Sequence, residues 1–81
     1  MKILHIIRNP RDSIPIDIAR AQSKEHEVAI LLFHDAVYLA PGLKTYACAD
    51  DALARSVKKH EDVGYERIVE MLFEYDKVIS W

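Results

Sequence analysis

The sequence predicts an α/β fold, a small parallel sheet of about four strands with helices layered on its faces, and three observations predict it. Short, branched apolar segments alternate with helical patterns along all 81 residues. The first two segments, 3–7 and 28–33, are nearly continuous in hydrophobicity, as befits strands covered on both faces. The connections between elements are short, which implies right-handed crossovers and hence parallel neighbours.

The elements follow in order. Residues 3–7 (Ile-Leu-His-Ile-Ile) form the first strand. Ser13 stands as a helix N-cap with Pro15 in the first turn, and Ile14, Ile18 and Ala21 recur at helical spacing. Residues 28–33 (Val-Ala-Ile-Leu-Leu-Phe) form the second strand. One or two helical turns over 35–39 stop at Pro41-Gly42. A weaker third strand spans 44–48, and a helix over 49–59 places Leu53 and Val57 on one face. The clearest helix covers 65–75, with Gly64 or Asp62 as its cap and Ile68, Val69, Leu72 and Phe73 as its apolar stripe. Residues 77–81 (Lys-Val-Ile-Ser-Trp) close the sheet. The expected order is β-α-β-α-β-α-α-β, a small three-layer Rossmann/flavodoxin-like arrangement. There are no repeats, linkers or low-complexity tracts, so 1–81 is expected to be one domain.

Composition narrows the function. A domain this short buries only about 60–65% of its unfolded surface, so oligomerisation is a natural way to bury more. A formal net charge of −2 gives no general attraction to nucleic acid or to an anionic membrane. No apolar run approaches the length of a membrane span. The N-terminal apolar run resembles the core of a signal peptide, but Arg8 interrupts it and no small-residue cleavage site follows closely. A cytoplasmic protein is expected.

In an open parallel sheet, ligands bind beyond the carboxyl ends of the strands. Those ends carry Arg8, Asn9 and Arg11 after the first strand, His34 and Asp35 after the second, Cys48 after the third, and Trp81 at the last. Cys48 is the sole cysteine, with no disulfide partner and no metal-binding cluster. It sits where a strand turns into a helix, and unpaired N–H groups at a helix start stabilise a thiolate. Its sulfur is either a nucleophile able to carry sulfur as a persulfide or a small apolar residue filling space. Asp50 and Asp51 oppose a thiolate by like-charge repulsion, an effect that Arg8 and Arg11 offset if the first and third strands are neighbours.

The other candidates carry plainer alternatives. His34-Asp35 has the residue types of a base and its orienting carboxylate, or Asp35 caps a short helix and His34 merely ends the strand. The 8–11 loop lacks the glycines of a phosphate loop, so it either binds an anion through its arginines or is solvated. Trp81 either plugs the end of the core or marks an interface. His5 reads as packed, and His26 and His60 as surface residues. No His and carboxylate pattern has metal-ligand spacing, so neither metal nor cofactor is expected.

Three blocks resemble the DsrE/DsrF/DsrH-like sulfur-relay family, most closely its short DsrH/TusB branch. Residues 30–38 (Ile-Leu-Leu-Phe-His-Asp-Ala-Val-Tyr) resemble that family's apolar strand followed by a Gln/His-Asp-Gly-Val pattern. Residues 45–56 resemble its strand and Asp-Leu-x-Ala-Arg-Gly helix. Residues 65–81 resemble its closing helix, strand and terminal Trp. Ala36 and Ser56 stand where the family usually has glycine. Cys48 stands where the short branch commonly has an apolar residue such as Leu, and where the DsrE/TusD branch has its sulfur-carrying cysteine. The resemblance implies a parallel α/β sheet assembled as a homo-oligomer or with DsrE/DsrF-like subunits. It also implies persulfide transfer between donor and acceptor proteins, toward tRNA wobble-uridine thiolation or in sulfur oxidation, with Cys48 as the candidate carrier. The alternative it leaves is a structural subunit that holds a sulfur-carrying partner.

Overall fold

In the computed structural model, which describes residues 1–81, five parallel strands form one sheet in the order β4-β3-β2-β1-β5. The strands are β1 (Lys2–Ile7), β2 (Glu27–Leu32), β3 (Lys44–Cys48), β4 (Glu61–Val63) and β5 (Lys77–Ser80). The helices are α1 (Ile14–Gln22), α2 (Ala49–Ala54) and α3 (Tyr65–Glu74), and a 3₁₀ turn spans His34–Tyr38. The predicted α/β class holds, with one strand more than expected. Residues 58–62 have mixed charge and read as a helix end and loop. Glu61–Val63 nevertheless pair with Tyr46–Cys48 at the sheet edge. An edge strand of three residues needs only one partner and one buried side chain, so it carries no hydrophobic alternation to detect.

The two central strands behave as their apolar runs require. All of Ile3–Ile7 and Val28–Leu32 are buried. One sheet face presents Ile3, Ile7, Val28, Ile30, Leu32 and Ala47 to Ala19 of α1, to Ala36 and Val37 of the 3₁₀ turn, and to Ala52 of α2. The opposite face presents Leu4, Ile6, Ala29, Leu31, Tyr46 and Val63 to Met71 of α3. Chain order explains this split. Successive right-handed crossovers step from β1 to β4 in one direction, and the last crossover returns past them to β5, which places α3 alone on the other face.

The helices are turned relative to their predicted stripes. In α1 the buried residues are Pro15 and Ala19, whereas Ile14 and Ile18 are exposed. In α2, Ala52 is buried and Leu53 is 80% exposed, and the helix ends at Ala54 rather than at 59. In α3, Met71 is fully buried with Ile68 and Tyr75 packed beside it, while Leu72 and Phe73 face outward. One cause covers the first two helices. Leucine and isoleucine on the strands fill the space between layers, so the helix side of the contact takes small residues.

Local chemistry fixes the ends of elements. Ser13 occupies the N-cap of α1 without a side-chain cap bond, and Asp12 Oδ1 instead accepts the Ile14 N–H at 3.1 Å. At the end of α2 the Val57 N–H donates to Ala52 O at 2.9 Å and the Ser56 N–H to Leu53 O at 3.2 Å. This is a Schellman closure, and Ser56 takes its left-handed position with φ of 54°. That conformation explains why a glycine is the expected residue there. Ala36, the other place where glycine was expected, has no such conformation and is simply buried. The left-handed residue in that region is His34, also with φ of 54°.

Candidate functional site

The carboxyl ends of all five strands lie on one edge because the sheet is wholly parallel. Along that edge, β3 is followed by α2 on one face, whereas neighbouring β4 is followed by α3 on the other. The two following segments diverge there and open a crevice, the place where parallel α/β proteins bind ligands. Cys48, the last residue of β3, stands in this crevice opposite Val63.

A pocket of 240 Å³ occupies the crevice, lined by Phe33, Cys48, Asp50, Val63, Gly64, Tyr65 and Ile68. The Cys48 thiol is free and half-buried. Alternation along β3 turns it toward the α3 face, the same side as Tyr46 and Val63. It is the N-cap residue of α2 in extended conformation, and the Gly64 N-cap of α3 is across the pocket. Neither cap residue makes a side-chain bond to its helix. The first backbone N–H groups of α3 therefore have no intrahelical acceptor at this end of the pocket. Asp50 is the only charged residue among the lining, and it opposes a thiolate.

The remaining predicted residues share the edge but do not converge on the thiol. β2 separates β1 from β3, so Arg8, which directly follows β1, is two strand positions, about 10 Å, from Cys48, and neither Arg8 nor Arg11 lines the pocket that holds Cys48 and Asp50. The Arg8 guanidinium is instead bound at the far side of the sheet, donating from Nη1 to Ser80 Oγ at 2.8 Å and to Trp81 O at 2.9 Å. Asn9 Oδ1 accepts the Arg11 N–H at 2.9 Å, closing the turn after β1. Asp35 does not orient His34. Its Oδ1 accepts from Arg55 Nε at 2.9 Å, and this partner holds the Arg55 pKa above its ordinary value. The His34 backbone N–H donates to Asp51 Oδ2 at 2.8 Å, which ties the β2 end to α2 and supports the left-handed His34. Asp51 is thereby committed to backbone and to Arg55, whose Nη1 is 3.8 Å away.

Trp81 is partly plug and partly surface. Its ring stacks on that of His5 at 6.1 Å between centroids, and it remains 40% exposed. Trp81 Nε1 donates to His5 Nδ1 at 3.0 Å. Since indole only donates, Nδ1 accepts, and the hydrogen of the neutral imidazole is on Nε2, facing Gln22 Oε1 at 2.6 Å. His5 is fully buried in this chain of contacts. His60 is half-buried, with Nε2 2.6 Å from Leu39 O, and Lys59 donates to Tyr38 O. Both residues therefore hold the end of the 3₁₀ turn. No group of three or more His, Cys, Asp or Glu side chains is gathered as a metal site.

Sequence reasoning singled out Cys48 and missed most of its surroundings. Val63, Gly64, Tyr65 and Ile68 reach the pocket through the pairing of β4 with β3 and the start of α3, and Phe33 reaches it from the end of β2. The Val63-Gly64-Tyr65 step from strand to helix was the available signal, and it mattered only once β4 had a place in the sheet.

Fold and site together define a small parallel α/β protein with a thiol at its topological switch point. No protein-family model matches this chain, and no curated protein matches its sequence. Among solved structures, it is similar to the ychN protein from E. coli, with a TM-score of 0.81, covering 100% of this chain and 99% of that one. The two share 13% sequence identity, so the likeness is one of fold.

Proposed function

We propose that this chain is a sulfur-relay subunit of the DsrE/DsrH-like kind, in which Cys48 accepts and passes on sulfane sulfur. The single observation that carries the proposal is the placement of the sole thiol in the crevice between β3 and β4, inside an apolar pocket. The Cys48 thiolate attacks the terminal sulfur of a donor persulfide. The donor S–S bond breaks, the donor departs as a thiolate, and a new S–S bond forms on Cys48. No net oxidation occurs, and the same exchange in reverse delivers the sulfur. The unpaired N–H groups at the α3 start favour the anionic forms, and the apolar walls limit access of water to the bound persulfide. The resemblance supports the same reading through the position of Cys48, which matches the sulfur-carrying cysteine of the DsrE/TusD branch, although the short DsrH/TusB branch commonly has an apolar residue there. It extends the proposal to a cytoplasmic complex serving tRNA wobble-uridine thiolation or sulfur oxidation, with 1–81 as one DsrE/DsrH-like unit.

Incubation with a small persulfide donor followed by intact-mass measurement is expected to add one sulfur, and Cys48→Ala to add none. An unloaded wild-type chain, under conditions that load an established carrier, defeats the proposal. A second reading is favoured by Asp50, which leaves the pocket with an acidic group and no cation. In that reading the chain is a structural subunit supporting a sulfur-carrying partner, and the Cys48 thiol reacts no faster than free cysteine.

A further inference from the structure

The helix on the otherwise bare face of the sheet carries two apolar stripes, and the fold uses only one. Ile68, Met71 and Tyr75 pack on the sheet. Tyr65, Val69, Leu72 and Phe73, at i, i+4, i+7 and i+8, form a second stripe on an adjoining side of the helix. Tyr65 is 81% exposed, Phe73 86% and Leu72 41%. The two rings alone present about 300–400 Å² of apolar surface, as much as the largest patch on a typical monomer. The stripe begins at Tyr65, which also lines the Cys48 pocket.

Charge decides what covers this stripe. Glu66 and Glu70 follow each other one turn apart along the border beside Phe73, both are exposed, and neither has a salt-bridge partner. Glu74 continues the row and is paired with Arg67 at 2.8 Å. Two copies packed antiparallel through this stripe would set one acidic border against the other, a like-charge contact that disfavours self-pairing. We infer that the α3 stripe is the docking surface for a different protein, one that presents an apolar helix or ridge bordered by lysine or arginine. Seated from Phe73 to Tyr65, that partner reaches the mouth of the Cys48 pocket. Its identification as the sulfur donor or acceptor rests on the carrier role proposed above, whereas the docking itself does not.

The test uses two synthetic amphipathic helical peptides with the same leucine face, one bordered by lysine and one by glutamate. The lysine peptide is expected to bind about tenfold or more tightly, to weaken with added salt, and to shift backbone amide signals across Tyr65–Glu74. Phe73→Ala, and Glu66→Gln with Glu70→Gln, should each reduce that affinity about fivefold or more. Asp12→Asn with Asp17→Asn, an equal change of net charge on the opposite face, should leave it unchanged. Equal binding of both peptides, binding by neither, or insensitivity to Phe73→Ala overturns the inference. So does a dimer of the chain alone, seen by sedimentation and abolished by Phe73→Ala. Cys48 loading from a small persulfide donor, measured beside peptide binding on the unsubstituted chain, separates the two proposals. Loading without peptide docking defeats only this one, and docking without loading defeats only the carrier role.

Discussion

At the scale of single residues, several side chains do work that their types alone do not announce. Ser56 holds a left-handed conformation that closes α2, and a β-carbon there is strained where glycine is not. Ser56→Gly is therefore expected to raise stability by about 0.5–1 kcal/mol, read as a higher urea midpoint with an unchanged slope. Tyr75 offers a pH test. Burial, and then the neighbouring Tyr46, push its phenol up to about 12 from an ordinary value near 10. The folded state thus keeps a proton that the unfolded state releases first. The associated stability is intact below pH 10 and is lost as pH rises toward 12. Denaturation at stepped alkaline pH should show that decline, and Tyr75→Phe should flatten it. Near the thiol, Asp50→Asn removes the one charge lining the pocket. It is expected to speed thiol–disulfide exchange at Cys48 by about two- to fivefold, as surface electrostatics of about 0.5–1 kcal/mol allow.

At the scale of elements, the orientation of α3 is the decisive feature. Met71 is fully buried and Phe73 is 86% exposed, two positions apart on one helix. Met71→Ala should cost about 2–4 kcal/mol, because it opens a cavity beneath the only helix on that face. Phe73→Ala should change stability by less than about 0.5 kcal/mol, as surface substitutions do. A larger cost for Phe73→Ala than for Met71→Ala would mean that α3 sits in the rotation its sequence stripe suggested. That stripe of Ile68, Val69, Leu72 and Phe73 was legible because it has helical period, but period alone does not say which side of a broad apolar band meets the sheet. The short α2 and the three-residue β4 were less legible still. Each is decided by closure at Ser56 and by pairing with β3, events outside its own residues.

At the scale of the whole molecule, the ends of the chain are locked together through the first strand. β5 pairs with β1, Lys2 N donates to Asp76 Oδ2 at 2.7 Å, and Arg8 binds Ser80 and Trp81. Trp81 completes this closure by covering the buried His5 and donating to it. Trp81→Phe keeps most of the stacking but leaves His5 Nδ1 without its donor, and is expected to cost about 1–2 kcal/mol in chemical denaturation. A neutral effect would mean that the indole bond contributes nothing and that the ring acts only as a cover. Sequence reasoning found Trp81 and Arg8 as separate candidates at one edge. Their contact joins residues more than seventy positions apart, which no local pattern encodes.

The sequence by itself determined the layered parallel α/β class, the two central strands and the location of Cys48 at a strand-to-helix junction. Those features follow from local rules, since a strand buried on both faces must be apolar throughout and a helix start follows its cap. Tertiary structure alone decided that β2 stands between Arg8 and the thiol, that β4 and α3 build the pocket around Cys48, and that α3 turns Tyr65, Leu72 and Phe73 to solvent. The reason is that strand order and helix rotation are settled by which surfaces can be buried together, and that competition is between residues distant in the chain.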